Sequence, residues 1–131
     1  MSCCSDVMKP IESASCCTPE DTVKAAAEAM KHSGCGCAPV VENKEDMSLV
    51  GVVTERDICH TVAAKDRLAS AVSVEEVMHP TSSCCNEDDQ VEVAVQKLSE
   101  NHSRGLPVVS TEGKCCGTVS LEQLGANQHI G

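Results

Sequence analysis

The chain is written twice. Val7-Met8-Lys9-Pro10 recurs as Val77-Met78-His79-Pro80, and Cys16-Cys17 ahead of Thr18-Pro19-Glu20-Asp21 recurs as Cys84-Cys85 ahead of Asn86-Glu87-Asp88-Asp89. Val23, Ala26, Ala27 and Met30 have the i, i+3, i+4, i+7 spacing of one helix face, and Val91, Ala94, Val95 and Leu98 repeat that spacing 68 residues later. Pro39-Val40-Val41 returns as Pro107-Val108-Val109 at the same shift, and Gly51-Val52-Val53-Thr54 returns as Gly117-Thr118-Val119-Ser120 after 66 residues, the first turn being two residues longer. A duplication of this kind sets the architecture before any local assignment does.

Each copy predicts a short strand, a helix, a hairpin and a second helix. In the first copy the strand lies near Ala14 to Cys17, and the helix runs from a Thr22 cap to His32 with Gly34 as its left-handed stop. Pro39 to Glu42 then pairs with Ser48 to Val53 across a polar turn, and Thr54 caps a helix reaching Ala64. The second copy predicts a strand near Ser82 to Cys85, a helix from Gln90 to His102, strands near Val108 and over Lys114 to Val119, and a helical turn from Ser120. We expect a first unit over 6–64, a linker over 65–75 that is helical between Arg67 and Val72, and a second unit over 76–126. The fold class is α+β, two β-α-β-β-α repeats packed around a pseudo-two-fold axis, since a three-stranded unit this small cannot cover both faces of its sheet alone. The cleft between the copies is the natural ligand site.

Composition removes several functions. The 131 residues include no Phe, Tyr or Trp, so base stacking on aromatic rings and an aromatic cage for methylated ammonium groups are both excluded. A formal charge of −10 repels phosphate backbones and anionic lipid, so neither nucleic acid nor membrane is an expected partner. No stretch approaches the roughly 20 apolar residues that span a bilayer. Met1 to Asp6 also lacks the pattern of a secretory signal, and the expected address is cytoplasmic. The eleven cysteines are odd in number and include four adjacent pairs, which fits reduced thiols better than a disulfide framework.

The sharpest local signal is Gly51-Val52-Val53-Thr54-Glu55-Arg56-Asp57-Ile58, an apolar strand ending at a hydroxyl residue that opens a helix. A carboxylate one turn on, at Asp57, can accept from the two hydroxyls of a ribose. The alternative is a capping box, with Thr54 as the cap and Asp57 supporting it. Arg56 and Arg104 are candidate phosphate contacts or surface charges offsetting the acidic chain. Most cysteines fall on strand positions where a small apolar residue packs, and adjacent ones point to opposite faces. Cys35-Gly36-Cys37 departs from that rule: both thiols can face one place and, with His32 or His102, hold a soft metal or serve redox chemistry. No Ser-His-Asp order, paired-carboxylate cleft or phosphate-binding Gly loop occurs, so catalysis is not expected.

Taken together, the Val7-Met8-x-Pro10 lead-in, Thr18-Pro19-Glu20-Asp21-Thr22, Ala38-Pro39-Val40-Val41 and Gly51-Val52-Val53-Thr54-x-x-Asp57-Ile58 resemble a tandem pair of CBS domains, from Asp6 to Leu124. The resemblance implies a stand-alone regulatory module that binds an adenine nucleotide of the AMP or ATP class between its repeats. It implies no required cofactor, a homodimer, and a protein partner, unknown here, that receives the signal in trans. It assigns phosphate to Thr54, ribose to Asp57, a basic approach to the phosphates to Arg104, and adenine to the backbone around Cys17-Thr18 and Ala38-Pro39-Val40. In the second copy Ser120 keeps the hydroxyl, but Gln123 stands where the ribose acid should be. One competent site and one weak or vacant site are therefore expected. The rival from another class is a thiol-based metal or redox sensor on the same scaffold, and a third is an interaction module without ligand.

Overall fold

A computed structural model describes residues 2–79, 84–101 and 103–128. The N-terminal segment forms a short helix, α1 (Cys4–Val7), and a two-residue strand, β1 (Lys9–Pro10). The first repeat continues with α2 (Val23–Ser33), β2 (Cys37–Val41), β3 (Leu49–Thr54) and α3 (Glu55–Ile58), which runs on as a π-helical turn over Cys59–Ala63. A 3-10 turn at Ala69–Ala71 leads to α4 (Val74–Val77). The second repeat is β4 (Cys85–Asn86), α5 (Val91–Asn101), β5 (Gly105–Val109), β6 (Cys115–Ser120) and α6 (Leu121–Gln128).

The helix ends follow the expected chemistry. Thr22 Oγ1 accepts from Ala25 N at 3.2 Å, and Gly34 at φ +72° closes α2 with its N–H on Met30 O at 2.8 Å. The expected strand over Ala14 to Cys17 contracts to a single rung. Cys17 N donates to Pro39 O at 3.0 Å and Val41 N donates to Cys17 O at 2.8 Å, but Ser13–Ser15 upstream folds into a 3-10 turn instead. Serine-rich backbone readily takes such turns, and Asp21 Oδ2 accepting from Thr18 N ends the extended stretch on the other side. The linker helix expected between Arg67 and Val72 is reduced to the 3-10 turn, and the Ser82 and Ser83 part of the second expected strand lies outside the described residues.

The two copies exchange their lead-ins. Strand β1 pairs antiparallel with β6, Lys9 opposite Thr118, giving a sheet in the order β1-β6-β5-β4. Cys4 and Val7 pack with Val91, Leu98, Leu106 and Leu124 in the second core. In return, Val74 and Val77 of α4 join Val23, Met30, Val40 and Val53 in the first core. His79 adds a rung to β3, exchanging N–H···O bonds with Val52, both at 3.0 Å. Each apolar lead-in is too short to bury itself, so it finishes the other repeat's hydrophobic surface, and the two repeats share their cores.

The seam between them is fastened at both ends. At one end Lys114 Nζ meets Asp46 Oδ1 at 2.6 Å, Cys115 N donates to Met47 O at 2.8 Å, and Cys16, Val41 and Cys115 form a small buried cluster. At the other end Arg104 grips Glu55 Oε1 through Nε at 2.9 Å and Nη2 at 2.8 Å. Strands β2 and β5 adjoin between these points.

Candidate functional site

Strand β3 delivers Thr54 to the seam, where the chain turns into α3. Both halves of a capping box are present: Asp57 N donates to Thr54 Oγ1 at 3.2 Å, and Thr54 N donates to Asp57 Oδ2 at 2.8 Å. The same Oδ2 lies 3.0 Å from His79 Nε2, and the two side chains are 23% and 34% exposed. Asp57 is thus a cap and also one wall of a cleft between the repeats. That cleft, about 130 Å³, is lined by Val52, Thr54, Arg56 and Asp57 from one side, Ser103, Gly105 and Leu106 from the other, and His79 from the exchanged lead-in. A carboxylate, an imidazole, a guanidinium and two hydroxyls around so small a volume suit a sugar diol or an anion. The volume falls below the roughly 300 Å³ at which whole-ligand pockets begin.

The cleft gathers Thr54, Arg56 and Asp57 and leaves the other expected residues elsewhere. Cys17, Ala38 and Val40 are buried in the first core, and the backbone of Cys17 and Pro39 is occupied by the rung between them. Thr18 is half-buried, its N–H held by Asp21. Arg104 is committed to Glu55 and faces neighbouring grooves. Ser120 is buried and caps α6, accepting from Gln123 N at 3.3 Å and donating to Gln123 Oε1 at 3.1 Å. Sequence reasoning missed His79, Ser103, Gly105 and Leu106. His79 had a signal, a titratable group in a lead-in that the first copy fills with Lys9, but only the exchange of lead-ins brings it to Asp57.

Across the pseudo-two-fold axis, the repeat register makes Cys35 and Cys37 the counterparts of Ser103 and Gly105. Both thiols are buried, at 3% and 0% exposure, with their sulfurs 3.7 Å apart. Cys35 Sγ also donates to Val119 O of β6 at 3.8 Å. The Cys37 thiol hydrogen-bonds to Cys35 and holds the Cys35 pKa below its ordinary value, while that same interaction and burial push Cys37 well up. Burial first, and neighbouring negative charge after it, drives Cys17 and Cys115 up to about 12, which makes them inert packing groups. His32 Nε2 meets Glu12 Oε2 at 2.8 Å, and His102 lies outside the described residues. Among the described residues no group of three or more His, Cys, Asp and Glu converges as a metal site. No helix among them is long and apolar enough to cross a membrane.

The model of the CBS domain matches this chain twice, over residues 4–64 and 74–124. The chain belongs to the CBS domain family. Its two matched units share the duplicated order traced above and meet at the cleft. A CBS domain-containing protein of Bacillus subtilis is 33% identical over 111 residues, covering 85% of this chain and 76% of that protein. A mitochondrial CBS domain-containing protein of Arabidopsis thaliana is 29% identical over 107 residues, covering 80% of this chain and 52% of that protein, so the chain spans about half of that relative's length. Among solved structures, a CBS domain protein from Pyrobaculum aerophilum complexed with AMP superposes with a TM-score of 0.79 at 23% identity, covering 98% of this chain and 94% of that one. This last likeness establishes a shared CBS-pair fold.

Proposed function

We propose that this CBS pair binds an adenine nucleotide of the AMP or ATP class in the cleft at Asp57, as a regulatory ligand and with no catalytic step. The observation that carries the proposal is the convergence of Asp57, Thr54, Arg56 and His79 on one inter-repeat cleft. Asp57 accepts from the ribose hydroxyls through Oδ1, since its contacts to Thr54 and His79 both fall on Oδ2. The Thr54 hydroxyl, whose oxygen already accepts from Asp57 N, has its own hydrogen free to donate to phosphate. Arg56, with His79 when protonated, supplies the positive charge. The AMP-bound structure of the Pyrobaculum relative supports this ligand class.

Ligand entry draws together groups from both repeats and so biases their relative orientation, by no more than its differential affinity for the two arrangements. The output passes in trans to a protein partner from a cytoplasmic homodimer. Calorimetric titration of AMP, ATP and S-adenosylmethionine into wild type and Asp57→Ala tests the proposal. The expected result is heat with at least one of them and a loss of about tenfold or more in the variant. Silence with all three, or affinity indifferent to Asp57→Ala, overturns it.

A further inference from the structure

The sulfur pair at the seam has no part in the nucleotide cleft, yet its placement is specific. Cys35 and Cys37 flank a glycine, their sulfurs stand 3.7 Å apart, and no bulk separates them. Cys35, buried at 3% exposure, borders a groove of about 370 Å³ that Lys31, Gly34, Glu55 and Arg104 also line. Its sulfur lies against the opposite repeat, touching Val119 O, and only the missing side chain of Gly105 leaves room for it. A Cβ on Gly105 would lie 2.1 Å from Cys35 Sγ.

We propose that Cys35 and Cys37 are an oxidative modification site, a dithiol that a hydroperoxide converts to a disulfide, releasing the sulfur contact that joins the first repeat to β6. In the first step the Cys35 sulfur attacks the peroxide: an S–O bond forms, the O–O bond breaks, and the departing oxygen leaves as alcohol or, from hydrogen peroxide, as water. In the second the Cys37 sulfur displaces the hydroxyl of the Cys35 sulfenic acid. The S–S bond forms, the S–O bond breaks, and water leaves with the Cys37 proton. Two thiols lose two electrons, and the peroxide gains them.

Closing the sulfurs from 3.7 Å to the roughly 2.05 Å of a disulfide removes the S–H that Cys35 offers to β6 and draws its sulfur toward Cys37. Val52 packs in one cluster with both cysteines and also lines the Asp57 cleft, as does Gly105. Oxidation therefore alters the cleft's wall, and its effect on ligand rests on the nucleotide reading above.

The test uses the full chain, fully reduced, treated with one equivalent of hydrogen peroxide, then alkylated and digested with trypsin. The peptide from His32 to Lys44 carries Cys35 and Cys37 and no other cysteine. The expected result is that this peptide resists alkylation and is lighter by about 2 Da, the mass of two hydrogens. Amide exchange in β6 should be several-fold faster in the oxidised protein, and reductant should reverse both changes. Cys37→Ser should trap a sulfenic acid on Cys35 without the cross-link; if that variant does not fold, the wild-type peptide map still decides. A disulfide between Cys4 and Cys85 instead, overoxidation of Cys35 without linkage, or a linked peptide with unchanged exchange in β6 would each overturn the proposal. AMP titration of both forms is expected to differ several-fold. If the reduced protein binds no AMP, the nucleotide reading fails and the mass and exchange results still decide this one.

Discussion

The two sides of the seam began as one design and now differ in kind. Around Asp57 the start of β5 and the residues before it present Gly105 and Ser103, an absent side chain and a hydroxyl, and a polar cleft remains. On the side of Ser120 and Gln123 the corresponding segment presents Cys35 and Cys37, buried thiols in place of the hydroxyl and the glycine, beside a groove of about 240 Å³ that Ser120 and Glu122 help to line. The lead-ins differ in the same sense: His79 reaches Asp57, whereas Lys9 Nζ donates to Ser33 O at 3.1 Å. Duplication thus preserved the caps, Thr54 with Asp57 and Ser120 with Gln123, while the chemistry above them diverged. A cap tolerates either an acid or an amide, but a charge-assisted contact to a sugar diol requires the acid.

The comparison extends to the cores, and there the largest effect is expected. The second core includes Leu98, Leu106 and Leu124, whereas the first is built of Val, Ala, Met and Cys17 with no leucine among its buried members. Leu98→Ala should cost about 2–5 kcal/mol, whereas Val40→Ala, which deletes fewer buried carbons, should cost clearly less. Urea denaturation of the two variants decides it, and equal losses would mean that the cores are not packed as described. Next comes the close approach at the seam. Gly105→Ala should cost about 1–3 kcal/mol because the new methyl meets Cys35, and adding Cys35→Ala to the same chain should restore most of that loss.

Smaller still is the alkaline limb. Cys17 and Cys85 hold matched positions, Cys17 donating to Pro39 O at 3.7 Å and Cys85 hydrogen-bonding to Cys4. Both are raised above the ordinary thiol value of 9.0, Cys17 to about 12 by burial and Cys85 by that hydrogen bond and then by burial. Folded thiols that keep their protons while unfolded ones lose them contribute stability in full below pH 9. That contribution falls as pH rises through the folded pKa, by up to roughly 1.4 kcal/mol per pH unit for each thiol. The melting temperature should therefore decline above pH 9, and Cys17→Val should flatten the decline. Asp57→Asn, which copies the amide of the second repeat, should weaken nucleotide binding by about tenfold while leaving the cap and the melting temperature nearly unchanged.

Much of this molecule is legible in its residues because it is local and duplicated. The Thr22 cap, the Gly34 stop, the hairpins and the Asp57 to Gln123 asymmetry all follow from spacing within a dozen residues, checked against a second copy. What was not legible is long-range. Nothing near Val7 or Val77 says that each lead-in will finish the other repeat, and without that exchange His79 has no reason to meet Asp57. Arg104 lies in a loop that resembles the family's basic approach to the phosphates and is otherwise a surface charge; that its guanidinium meets Glu55, 49 positions away, is not legible from spacing. The cysteine pair at 35 and 37 could be singled out by spacing, but its contact with Val119 depends on how β2 and β6 meet.

The central claim is that only one side of the seam holds a nucleotide. Its most direct measurement is the calorimetric stoichiometry of AMP per chain in wild type, Asp57→Ala and Gln123→Ala. One AMP per chain, lost in Asp57→Ala and retained in Gln123→Ala, is the predicted result. Two AMP per chain, or binding abolished by Gln123→Ala and spared by Asp57→Ala, would contradict it.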